Sequence, residues 1–151
     1  MSVETETLLT WTDVLADPAL RALPGKVELS EEGKIIVGPS KVSHSHEVSL
    51  AMDSLRRLHP DSGHVYGSVA VQCRGSVRVM ETDAAWVSDE WVQRNKDLPA
   101  ADTAPEICVE VMSRGNTRTE MREKSERYLE LGAREVWIVA IDGSKTVHKL
   151  P

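Results

Sequence analysis

The stretch that most constrains this chain is an almost unbroken apolar run, Ile107-Cys108-Val109-Glu110-Val111-Met112. A strand with one wet face needs alternating polar residues, so a run without them predicts a strand buried on both faces, as in parallel sheets. A second apolar run, Glu135 to Ile141, follows after one amphipathic segment. In that segment Met121, Lys124, Tyr128 and Leu131 recur at spacings of 3, 4 and 3. This is one stripe of a helix, predicted from about Thr119 to Leu131, and Gly132 stands where a glycine ends a helix. Strand, helix and strand over 107–141 predict a right-handed crossover joining parallel strands.

The other elements are read around this unit. Residues 1–24 form an amphipathic, helical lead-in punctuated by Pro18 and Pro24. Lys26–Leu29 and Lys34–Val37 flank Ser30-Glu31-Glu32-Gly33 and predict a hairpin. Val48, Met52, Leu55 and Leu58 mark the inner face of a helix from Ser43 to Leu58, stopped by His59-Pro60. Two strands follow, His64–Arg74 and Val77–Val87, turning at Gly75-Ser76, then a short segment around Trp91 and a loop from Pro99 to Pro105. A turn at Asp142-Gly143-Ser144 precedes a last strand, Thr146–Leu150. The predicted fold class is α/β or α+β, a mixed sheet flanked by helices in a single domain over 1–151.

Composition narrows the function. The 151 residues carry a net charge of −6, which argues against a strong, sequence-independent nucleic-acid binder. It leaves room for an enzyme that meets phosphates through bound cations, because those ions invert the local sign. No apolar run approaches the roughly 20 residues that cross a bilayer. The first residues are acidic where a secretion signal is basic. The expectation is a cytoplasmic protein with no membrane partner. Cys73 and Cys108 match no metal or redox spacing and are expected as buried thiols.

Three polar residues fall on apolar faces. Glu110 interrupts the buried run, where an unpaired carboxylate costs several kcal/mol. Asp83 shares the parity of Val77, Val79, Ala85 and Val87. Lys124 lies on the inward helix stripe, while Glu120, Glu123, Arg127 and Glu130 look outward. Each has an ordinary structural explanation: a salt bridge, a strand bend, a snorkelling lysine. Together, two strand carboxylates and a lysine on the next helix can converge at one end of a sheet. Such a group can hold a divalent cation with oxygen ligands and orient a water.

The strings METDAAWVSDEW (80–91) and APEICVEVMSRGNTRTEMREKSERYLELGAREVWIVAIDGSKTVHKL (104–150) resemble the Uma-two family of endonucleases, in the restriction-endonuclease-like PD-(D/E)XK superfamily. The likeness runs through Asp83 with Val87, Glu110-Val111-Met112-Ser113, Lys124 with Tyr128, Gly132 and Trp137, and earlier through Glu28, Leu29 and Gly33. It spans roughly 24–150. The resemblance implies Asp83 and Glu110 as ligands of Mg²⁺ or Mn²⁺, with the Val111 carbonyl as a third. It implies Lys124 as the catalytic lysine, moved to the helix because Met112 fills its usual place. Glu28 and Tyr128 would be auxiliary. A histidine after the hairpin would join them, His44 or His46, with the count to the apolar stripe favouring His44. Thr82 replaces a usual proline, Asn116 a usual acid, and relatives carry further strands after the last one predicted here.

The expected activity is metal-dependent hydrolysis of nucleic-acid phosphodiester bonds, with DNA as substrate and a 5′-phosphate left behind. A homodimer is expected by analogy with small nuclease domains that pair to cut two strands. Two rivals stand beside it: a catalytically silent interaction or regulatory protein on a nuclease fold, and a buried ion network with no ligand.

Overall fold

The computed structural model describes residues 8–23, 25–38 and 41–151. Part of the predicted lead-in, residues 1–7 and Pro24, therefore lies outside the described residues. The rest of it forms α1 (Trp11–Ala16) and α2 (Pro18–Arg21). Thr10 and Asp13 close a reciprocal capping box on α1, and Asp17 caps α2 with proline at its first turn.

The predicted hairpin is β1 (Lys26–Leu29) and β2 (Ile35–Gly38), paired antiparallel. The long helix is α3 (Val42–Leu58). Its inner face differs from the expected stripe: Ala51 and Leu55 are buried, Val48 and Met52 pack beside them, and Leu58 is 59% exposed.

The two long strands predicted at 64–74 and 77–87 are each divided. The first becomes β3 (His64–Tyr66) and β4 (Ala70–Gln72), the second β5 (Val79–Glu81) and β6 (Ala84–Val87). A four-stranded sheet has the order β2-β1-β5-β4. A five-stranded sheet runs β3-β6-β7-β8-β9, with β7 (Ile107–Val111), β8 (Glu135–Val139) and β9 (Lys145–Lys149). Each long segment thus passes from one sheet to the other, and its backbone must bend because its hydrogen-bonding neighbours change. The alternation of side chains survives the bend, so the sequence pattern does not register it. Trp91 lies on a short helix, α4 (Asp89–Asn95), capped by the Ser88 hydroxyl.

The predicted crossover is present. β7 and β8 are parallel from Ile107↔Glu135 to Val111↔Val139, joined by α5 (Arg118–Glu130). All five β7 residues are buried. Alternation sends Ile107, Val109 and Val111 toward α3, with Ala51, Leu55 and Trp137. It sends Cys108 toward α5, where Met121, Tyr128 and Leu131 pack. Glu110 shares the parity of Cys108, so its carboxylate points into the α5 side. A third cluster, Trp11, Val14, Leu29 and Val79, backs the small sheet. Cys73 and Cys108 are both buried and free. No helix among the described residues is long and apolar enough to cross a membrane.

Candidate active site

The division of the strands creates the site. β6 pairs with β7 only as far as Ala84↔Val109, and the Asp83 amide still donates to the Val109 carbonyl, 2.9 Å. Beyond that point the two strands part, and the Val111 amide and carbonyl leave that side of the ladder. Asp83 turns back into the gap, where its Oδ2 accepts from the Val111 amide at 2.7 Å. The Val111 carbonyl accepts from His44 Nε2 at 3.2 Å, from the first turn of α3. Thr82, where the resemblance noted above would set a proline, anchors the bend. Its amide donates to the Val69 carbonyl, and its hydroxyl accepts from the Val69 amide and donates to the Gly67 carbonyl. A proline could make none of these bonds.

The structure brings Asp83, Glu110 and Lys124 to one cleft of about 1180 Å³, with Glu28, His44 and Val111 also on its walls. Glu110 Oε1 accepts from the Tyr128 hydroxyl at 2.8 Å and lies 3.4 Å from Lys124 Nζ. The Lys124 ammonium is held more closely by Glu28, 2.8 Å to Oε2, and that oxygen also accepts from the Glu81 amide. His46 is exposed on the outer side of α3, so of the two histidines only His44 faces the cleft.

One participant was missed by the sequence reading. Lys26 Nζ lies between the two carboxylates, 2.8 Å from Glu110 Oε2 and 3.3 Å from Asp83 Oδ1. The available signal was parity. Lys26 and Glu28 share a face of β1, opposite to Val27 and Leu29, so a glutamate aimed at the site implies a lysine aimed there too.

Electrostatics follow from these contacts. Burial pushes the Asp83 carboxyl up, but the His44 hydrogen bond, the Lys26 charge and the Val111 amide outweigh it and bring its pKa down to about 2. Glu110 is buried completely, and that burial holds its pKa above the ordinary value despite Lys124 and Lys26. Burial also works against the charge on Lys26, yet Glu110, Asp83 and Glu28 together keep its pKa above the usual lysine range. The hydrogen bond to Asp83 raises His44.

A divalent cation suits this arrangement. Each carboxylate is anchored through one oxygen, Asp83 Oδ2 by the Val111 amide and Glu110 Oε1 by Tyr128. Each presents its other oxygen to one shared positive charge, the Lys26 ammonium. Mg²⁺ and Mn²⁺ favour such oxygen donors. Among the described residues no three His, Cys, Asp or Glu side chains are grouped to hold a metal. The oxygen donors on the cleft wall that could serve one are the two carboxylates and the main-chain carbonyl of Val111.

A family model described as "Putative restriction endonuclease", Uma2, matches residues 17–148. The chain belongs to the Uma2 family. A solved structure titled a putative nuclease of DUF820 from Anabaena variabilis ATCC 29413 shares the fold, with a TM-score of 0.67 at 17% identity. That alignment covers 95% of this chain and 86% of the other. No curated protein matches the chain. The Uma2 chain described here therefore has a restriction-endonuclease-like fold, a mixed α+β architecture whose two sheets meet at the cleft.

Proposed function

We propose that this Uma2 protein is a cytoplasmic, single-domain, metal-dependent nuclease that hydrolyses phosphodiester bonds, with DNA as its substrate. The observation that carries the reading is the convergence of Asp83, Glu110 and Lys124, from three separate segments, on one cleft. Asp83, Glu110 and the Val111 carbonyl would hold Mg²⁺ or Mn²⁺, which supplies positive charge against the scissile phosphate and acidifies the attacking water.

The chain's own groups do the rest. The Val111 amide and Tyr128 hydroxyl fix the two carboxylates before any ligand arrives, so little reorganisation is needed at the reacting atoms. Glu28 holds the Lys124 ammonium beside Glu110, where it can orient a water or stabilise charge developing on the phosphate. His44 would steady the Val111 carbonyl, to which it donates on the cleft wall. Pairing of two copies would bring two such clefts to the two strands of a duplex.

The deciding experiment is cleavage of supercoiled plasmid and a single-stranded oligonucleotide with Mg²⁺ or Mn²⁺. Wild type, Asp83→Asn and Lys124→Ala are compared from identical preparations. The expected result is cutting by wild type and a loss of about 10²–10³-fold in Lys124→Ala, with Asp83→Asn silent and both variants folded. Equal cutting by all three would mark a contaminant and remove the support for these residues.

The Lys26 ammonium favours one competing reading, a silent nuclease fold whose carboxylates are permanently neutralised. In that case wild type does not cut, and Mn²⁺ produces no rise in Tm that Glu110→Gln abolishes.

A further inference from the structure

The cleft holds two lysines, and they are held differently. Lys124 is drawn toward Glu28, 2.8 Å away, and stands back from Glu110 at 3.4 Å. Lys26 fills the space between Asp83 Oδ1 and Glu110 Oε2, the two carboxylate oxygens that no main-chain amide or hydroxyl anchors. A divalent cation ligated by Asp83 and Glu110 would need those same oxygens.

We propose that Lys26 is a resident counter-ion of the metal-free protein, occupying the divalent cation's place between Asp83 and Glu110 and displaced from it when the metal binds. The inference rests on the metal-dependent reading above and names the residue that opposes metal entry. Two buried carboxylates facing one another without a cation between them would repel. The Lys26 ammonium offsets that repulsion by attracting both carboxylates to one shared charge.

Lys26 is also the group able to leave. Its side chain is 17% exposed, against 5% for Asp83 and 2% for Glu110, and it stands at the start of β1 next to Gly25 on the cleft wall. Its charge sits on a flexible four-carbon stem that can carry it to water, whereas both carboxylates are pinned through their second oxygen. The exchange costs the protein an ion pair and lowers the apparent metal affinity by the fraction of molecules in which the place is already filled. Lys124 imposes no such penalty, since Glu28 holds it to one side.

The test is titration of the full chain with MnCl₂ by calorimetry, for wild type, Lys26→Met and Lys26→Arg. Lys26→Met should bind Mn²⁺ about tenfold more tightly, the factor expected if the ammonium fills the place nine-tenths of the time. Lys26→Arg, which keeps a cation there, should bind no more tightly than wild type. In EDTA the Tm of Lys26→Met should fall below that of wild type and recover in Mn²⁺.

A second measurement needs no variant. The slowly exchanging ¹⁵N ammonium signal of Lys26 should disappear on saturation with Mg²⁺, while that of Lys124 persists. Equal or weaker Mn²⁺ binding by Lys26→Met, or a Lys26 signal unchanged at saturating Mg²⁺, would overturn the displacement and leave the metal-dependent reading standing. No Mn²⁺ binding by wild type or Lys26→Met would overturn both.

Discussion

Glu110 and the Val111 main chain sit on a strand paired along its whole length with β8 and covered by α3 on one face and α5 on the other. Lys26 and Glu28 sit on a four-residue strand that meets β5 through a single residue pair, Leu29↔Val79. Where that pairing stops, side chains continue it. The Glu81 amide donates to Glu28, and the Val27 amide donates to the Glu81 carboxylate. On the displacement proposed above, the large sheet would supply the fixed half of the cleft and the small sheet the adjustable half. The proposed cation site would then keep its acidic groups in place while the Lys26 charge that compensates them moves.

The contrast can be broken at the fixed half first. Glu110→Ala removes the partner of two ammoniums and of Tyr128, and should cost about 3–5 kcal/mol in urea unfolding of the metal-free protein. An isolated pair of repelling acids would instead gain stability on losing one member, so a stabilised variant would mean the lysines do not compensate them. Glu28→Gln, on the adjustable half, keeps the bond from the Glu81 amide but loses the charge that holds Lys124. It should cost about 2–3 kcal/mol, and a loss as large as that of Glu110→Ala would erase the distinction between the sheets. Tyr128→Phe leaves Glu110 Oε1 with only the more distant Lys124 and should cost about 1–2 kcal/mol.

The smallest effect is expected where the small sheet is tied to α5 at the surface. Arg78 holds Glu123 through both terminal guanidinium nitrogens, and this hydrogen bonding sets the Glu123 pKa below its ordinary value of 4.5. A lowered acid contributes stability above its ordinary value and loses it as pH falls through the lowered one. Glu123→Gln should therefore cost no more than about 1 kcal/mol near pH 7 and reduce the loss of stability on acidification. A difference from wild type that grows below pH 4.5 would contradict this sign.

The sequence disclosed the crossover, the hairpin and the three polar residues because each breaks a strong local rule. A carboxylate in a buried strand and a lysine on an apolar stripe are visible without any partner. Lys26 was hidden because a lysine beginning a short strand has the ordinary look of a solvated edge. The bends at 67–69 and 82–83 were hidden for a different reason. They are imposed by the meeting of two sheets, a long-range event that leaves the local alternation intact. α4 carried its own signal, Ser88 followed by Asp89 and Glu90, which is a helix start masked by the tryptophan beside it. Leu58 fits the helical spacing yet is exposed, while His59 beside it stacks on Trp86 of the sheet, so periodicity alone placed Leu58 inside.

The bonds from Lys26 to Glu110 and from Lys124 to Glu28 join residues 84 and 96 positions apart in the chain. Contacts of such separation form late, after the entropy of closing long loops has been met. The first strand of the site is made well before α5, which carries its lysine partner. A nascent chain therefore has no assembled cleft until α5 has been made and has packed, and the activity proposed above would be absent from any chain whose translation has not passed that helix.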